Sequence, residues 1–148
     1  MRILVLVLCA LLATAFSVQA ENPRRSIGLV KTVTGDASIQ RDGRLIAAQP
    51  GNSLLEGDVL LTGAKGTMGV ILRDDTILSL GSSTETRLEQ FTFEPAEHKL
   101  GMVVRVAKGI IGYLSGKISK LSPGSVRLET PVATLGVRGT YLLARIVP

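Results

Sequence analysis

The chain has 148 residues, 45% hydrophobic and 20% charged, with a formal net charge of +5. Its single cysteine excludes a disulfide framework within one chain, and its single histidine leaves little for metal or general-base chemistry. A 3% aromatic content with no tryptophan argues against a surface that stacks on nucleic-acid bases.

The first 20 residues are not read as part of the fold. Arg2 gives a short positive start, Ile3 to Phe16 is almost unbroken apolar, and Val18-Gln19-Ala20 places small residues at a cleavage site. That is the layout of a secretory signal peptide. The run is shorter than the ~20 apolar residues a membrane-spanning helix needs. Cys9 follows Leu8, where a lipid-attachment signal would carry a small residue, so it is not read as an anchor. The expected division is a leader at 1–20, a tail at 21–27 and one β domain at 28–148, exported to the periplasm or secreted. Export without cysteine means that a core alone holds the domain.

In chain order, Gly28 to Thr34 reads as a strand closed by Gly35-Asp36. Ala37 to Arg41 and Arg44 to Ala48 flank Asp42-Gly43, a strong hairpin pair because both residues tolerate positive φ. After Pro50-Gly51 come strands at Asp58 to Thr62, Thr67 to Arg73 and Ile77 to Leu80, the last two joined by an Asp74-Asp75 turn. Glu85 to Phe93 alternates imperfectly, since Leu88 and Phe91 are out of phase, which predicts a bulge or bend. Glu94 to Lys99 is a loop containing Pro95, Met102 to Ala107 and Ile110 to Leu114 are two strands divided by Gly109, and Lys117 to Gly124 is a polar connector. Val126, Leu128 and Thr130 share one face of a further strand, and the last run extends from Val132 to Val147. No window carries an apolar stripe of helical period. The expected class is all-β: a compact roll, a sandwich or a short solenoid-like stack of short strands joined by Gly and Asp turns.

Catalytic constellations are hard to assemble. His98 stands alone in a polar loop, and no serine sits in a nucleophile elbow. Asp74-Asp75 fits a turn better than a calcium site. Glu85 and Glu89 share a face with Arg87 and read as a charged surface row rather than paired acids. No catalytic residue, metal or cofactor is expected.

The charge is uneven. Residues 21–100 hold 9 Lys/Arg against 11 Asp/Glu, whereas residues 101–148 hold 7 Lys/Arg against Glu129 alone. Arg105, Lys108, Lys117, Lys120 and Arg127 are therefore either a patch for an anionic partner or ordinary solvated cations. An acidic protein face, an anionic glycan and a membrane surface all fit such a patch; nucleic acid does not fit an exported chain.

The most specific stretch is "TPVATLGVRGT", Thr130 to Thr140. Pro131 keeps Thr130 extended and suits the start of a strand. Gly136 and Gly139 flank Val137-Arg138, a pattern that suits a bulge or a close backbone crossing. Arg138 has two readings. It is either a half-buried guanidinium bonded to carbonyls or to Asp74 or Asp75, or an exposed cation for an acidic partner.

This stretch, in an exported glycine-punctuated β domain, resembles the FecR domain, the periplasmic part of ferric-citrate-regulator-like proteins. "GLVKTVTGDASIQRDG" resembles that family's opening strands, and "LLEGDVLLTGAKGTMGVILRDDTILSLGSST" its central block, so the resemblance covers roughly Gly28 to Leu143. The family's central turn usually reads Asp-Gly, where this chain has Asp74-Asp75. The resemblance implies a β module with Thr130, Pro131, Gly136, Arg138, Gly139 and Thr140 as a structural motif and no catalytic residues. Regulatory members also carry a sigma-factor-binding segment, a membrane helix and a transporter-facing portion, which none of the quoted segments matches.

The leading functional expectation is a non-catalytic module that binds or scaffolds a protein partner in the cell envelope. The apolar terminal run "TYLLARIVP" either lies at a sheet edge open to a partner's strand or is an ordinary paired strand. The alternative is a soluble component of an envelope signalling or iron-uptake regulatory system of the FecR type. A third reading is an envelope glycan-binding protein or enzyme.

Overall fold

A computed structural model describes residues 24–139 and 141–147. The expected leader, the start of the tail and Thr140 of the motif lie outside them.

Among the described residues twelve strands form one curled, largely antiparallel sheet with the shape of a half-barrel, so the all-β expectation holds. The opening strands are β1 (Gly28–Thr34), β2 (Ala37–Arg41), β3 (Arg44–Ala47), β4 (Ser53–Leu54) and β5 (Val59–Thr62). The central ones are β6 (Thr67–Leu72), β7 (Ile77–Leu80), β8 (Glu85–Glu94) and β9 (Lys99–Leu114). After the short helix α1 (Lys117–Leu121) come β10 (Val126–Glu129), β11 (Thr134–Gly136) and β12 (Tyr141–Ile146). The main path runs β3-β2-β5-β8-β9-β7-β6-β1-β4.

Period-two alternation drives this arrangement. Along β6 the buried residues are Met68, Val70 and Leu72, and along β7 they are Leu78 and Leu80. Turn chemistry sets the registers. Asp42 and Gly43 both hold positive φ, 50° and 76°, as a two-residue hairpin between right-twisted strands requires. The predicted irregularity in β8 is a bulge: the register with β9 shifts between Leu88 and Gln90, which returns Phe91 to the core.

The strand β9 organises the molecule. β7 and β8 lie end to end along one of its edges, and β10 and β12 share the other. The sequence divides this strand at Gly109; the structure keeps it continuous over 16 residues. Gly109, at φ 103°, bends the strand beside Thr84. The Thr84 hydroxyl accepts the Ile110 N–H at 2.9 Å, so the bend costs no backbone hydrogen bond.

Three other expectations are corrected. The segment after Gly116 is not a plain connector: it forms α1, whose Ile118 is fully buried, because one apolar residue in a polar run suffices to pin a single turn. Ser53–Leu54 is a short strand against β1 that the sequence pattern does not announce. The run from Val132 to Val147 is not one strand but two, β11 and β12, which pair with different neighbours. The expected loop at Glu94 to Lys99 contains a 3-10 turn at Pro95–Glu97, with exposed His98 capping it at φ 55°.

Candidate interaction surface

The terminal motif begins as a turn. Thr130 donates its N–H to the Ala133 carbonyl at 2.8 Å, and its hydroxyl accepts the Ala133 N–H at 3.1 Å. Proline presets the dihedral that the second turn residue needs, and threonine hydroxyls stabilise such reversals. Pro131 and Val132 thus sit at an exposed tip, and β11 folds back antiparallel on β10 with Leu128 opposite Leu135. Val137 then donates its N–H to Val126 at 3.1 Å and buries its side chain in the core. Among the described residues of the segment, Val137 is the one that is buried.

Arg138 is exposed, which corrects the buried reading. The carboxylates offered to it are engaged elsewhere: Asp74 is fully buried under α1, and Asp75 pairs with Lys117 at 3.0 Å. Gly136 and Gly139 have open space where a Cβ would stand, so neither marks a close backbone crossing.

The basic residues come from three elements. Arg105 and Lys108 lie on β9, Lys117 and Lys120 on α1, and Arg127 on β10. Acids interleave with them. Arg105 bonds Glu129 at 3.0 Å and approaches Glu89 at 3.7 Å, while Glu89 holds Arg87 at 3.0 Å. The bond to Glu129 raises the Arg105 pKa above its ordinary value. Lys108 stands opposite Glu85 in the β8–β9 register. The outer face of this half of the sheet is an alternating charge lattice, including the Glu85–Arg87–Glu89 row expected from the sequence.

Arginines also line a cleft, together with Glu56 and Glu94, and Arg24 there bonds Asp42 at 3.1 Å. This open cleft of about 430 Å³ is lined by Arg24, Arg25, Arg73, Glu56 and Phe91 among others. The Arg73 guanidinium stands 5.5 Å from the centroid of the Phe91 ring, and its Nε is buried with no hydrogen-bond partner among the described residues. Glu56, on the wall of the same cleft, accepts the Phe91 N–H at 3.0 Å. Only the Arg24-Arg25 pair hinted at this site, because the register that brings Arg73 and Phe91 to it is not visible in a linear pattern.

The terminal strand offers a different surface. Among the described residues β12 pairs only with β9, from Tyr141 opposite Leu114 to Ile146 opposite Gly109. Among the described residues its other edge has no partner strand. Leu142, Ala144 and Ile146 pack against the core, while Tyr141 and Leu143 are 66% and 61% exposed. Few side chains on this edge deter an incoming strand: β12 has no proline or lysine, and Arg145 is its one charge. β3, one end of the main path, is also an edge, but it is shorter and carries Arg44.

Among the described residues no helix is long and apolar enough to cross a membrane. In comparisons with known proteins, no family model, curated protein or solved structure matches the chain.

Proposed function

We propose that this chain is an exported, non-catalytic β module that binds a protein partner in the cell envelope, offering β12 as the strand to which the partner adds. The observation that carries the reading is the one-sided pairing of β12 beside exposed Tyr141 and Leu143. An unpaired row of backbone N–H and C=O groups supplies affinity in strand addition, and the alternate side chains supply selectivity. The resemblance of Thr130–Thr140 and the central block to FecR domains supports export and the module's non-enzymatic role.

Photo-crosslinking in cells tests this. A photoreactive residue at Leu143 yields a discrete adduct with one envelope protein, and the same residue at Leu45 on the β3 edge yields none. Adducts at Leu45 alone, or at neither position, overturn the reading.

A second reading rests on the arginine cleft. Arg25 and Arg73 line this cleft with no carboxylate partner among the described residues, and their guanidinium groups suit an anionic group, such as the carboxylate of an acidic envelope glycan. Arg73→Gln then weakens retention on an immobilised acidic glycan while leaving the Leu143 adduct intact. Equal retention by both forms rejects this second reading.

A further inference from the structure

The outward face of the sheet half made by β1, β6, β7, β9 and β12 carries a pattern of its own. Reading across the registers, Leu29 stands opposite Ile71, Ile71 opposite Ile77, Ile77 opposite Leu114, and Leu114 opposite Tyr141. This is an apolar ridge across five strands, with Leu29 41% and Leu114 37% exposed. Two residues further along each strand, allowing for the bulge at Lys31, the row is Thr32, Gly69, Ser79, Gly112 and Leu143. Its middle has almost no side chain. Ridge and small-residue row therefore lie side by side, and the row opens into a groove of about 350 Å³ walled by Tyr141 and Leu143.

Charge is nearly absent from this face. β1, β6, β7, β12 and the part of β9 from Gly109 to Leu114 carry only Lys31 and Arg145. A folded chain that is 20% charged leaves such a face bare where something covers it.

The geometry points to a second copy of this chain as the cover. A twofold axis lying in the plane of the face, parallel to the two rows and between them, exchanges ridge and groove. The ridge of each copy then seats in the groove of the other, as a self-complementary twofold interface demands. Strands of the two sheets stay nearly aligned, which is the common way for sheets to stack face to face. Arg145 lies on the groove side of the face, so the rotation carries the partner's copy to the ridge side. Lys31, exposed at the bulge between the rows, falls beside the axis at the β1 end next to its own copy, where its long stem lets the ammonium reach solvent.

The size of the face sets the strength. Five strands at ~4.8 Å spacing and two rows ~7 Å apart give roughly 350–450 Å² per copy. Counted over both copies this is below the ~1,200 Å² of stable interfaces, so the dimer is a weak, transient one, to be sought between about 10 µM and 1 mM. The dimer uses side chains on the sheet face and leaves the backbone edge of β12 open; because Leu143 also walls the groove, a Leu143 adduct with a second copy reports the dimer and one with a different protein reports strand addition.

Sedimentation equilibrium on the full chain from 10 µM to 1 mM, in the range stated above, tests the proposal. The mass rises from monomer towards dimer. Ser79→Arg, an exposed position in the middle of the groove, keeps the melting temperature and removes the association; Leu45→Glu on the other sheet half leaves it unchanged. Loss of the Leu143 adduct with the dimer intact would count against strand addition alone. A mass that stays monomeric across the range overturns the dimer, as does Ser79→Arg associating like the parent. Co-sedimentation of the parent with phosphatidylglycerol vesicles, lost in Leu114→Glu without any self-association, assigns the face to lipid and overturns it as well.

Discussion

The buried carboxylate of Asp74 accepts the backbone N–H of Ile118, 44 residues further along the chain, at 3.2 Å. Its other bonds come from the Thr76 hydroxyl at 2.7 Å and the Thr76 N–H at 3.1 Å, and its own carbonyl accepts the Lys117 N–H at 2.7 Å. The cap residue of α1 is Gly116, which has no side chain to satisfy the helix's first N–H groups. Asp74 supplies that function from the β6–β7 turn. A Cβ on Gly116 would collide with the Asp74 carbonyl and the Thr76 amide, so the glycine is what lets the helix approach.

Asp74→Ala strands these buried donors without an acceptor and should cost about 2–4 kcal/mol. Thermal unfolding should register it as a fall of roughly 7–15 °C for a domain of this size. Gly116→Ala should destabilise comparably through steric collision. Normal melting of both variants would show that α1 does not depend on the turn.

Arg41 grips Asp58 with two bonds, 2.8 Å from Nε and 2.7 Å from one Nη, and that Nη also donates to the Ser53 carbonyl at 2.9 Å. Asp58 is 1% exposed, and it further accepts the Leu55 N–H at 2.8 Å. Removing only the cation leaves a buried carboxylate short of its partner. Arg41→Ala should therefore cost about 3 kcal/mol or more in urea unfolding, and Arg41→Lys should recover only part, because an ammonium cannot span both oxygens and the carbonyl. A full rescue by lysine would reduce the fork to a point charge.

Tyr113 is fully buried, and its hydroxyl has no hydrogen-bond partner of good geometry among the described residues. Burial, with the nearby Asp74 charge adding to it, raises its pKa above the ordinary value, against a lowering by Ser119 and Thr76. The phenol therefore ionises more easily in the unfolded chain than in the folded one. Stability from this group is intact below about pH 10, the unfolded value, and is lost as pH rises through the higher folded value. Tyr113→Phe removes an unsatisfied hydroxyl, so its melting temperature at pH 7 should match or exceed the parent's. Its decline above about pH 10 should also be shallower. A steeper alkaline loss in the phenylalanine variant would contradict the assignment.

How much of this was legible in the sequence depended on how local the determinant is. The β2–β3 hairpin was readable because Asp42-Gly43 fixes its own turn, and the β8 bulge because Leu88 and Phe91 break the period where they stand. The continuity of β9 was hidden because Gly109 resembles a stop until Thr84 is seen to accept the Ile110 amide. α1 was hidden because five residues are too few for a helical period. The arginine cleft and the ridge of Leu29, Ile71, Ile77, Leu114 and Tyr141 are products of register. Each residue looks like an ordinary outward position in its own strand, and only the pairings align them.

The terminal motif permits the sharpest separation of structure from surface. Its sequence singled out Arg138, yet the side chain that enters the core is Val137, 6% exposed and tied by its N–H to Val126. Val137→Ala should cost about 1.5–3 kcal/mol, from the two lost methyl groups and the cavity they leave. Arg138→Lys should change stability by no more than about 0.5 kcal/mol, since exposed positions away from special backbone geometry tolerate exchange. Chemical unfolding of the two variants side by side decides between them. If the lysine variant were the weaker of the two, the guanidinium would have to find a partner in the folded chain, and the valine would no longer explain why this segment closes the interior.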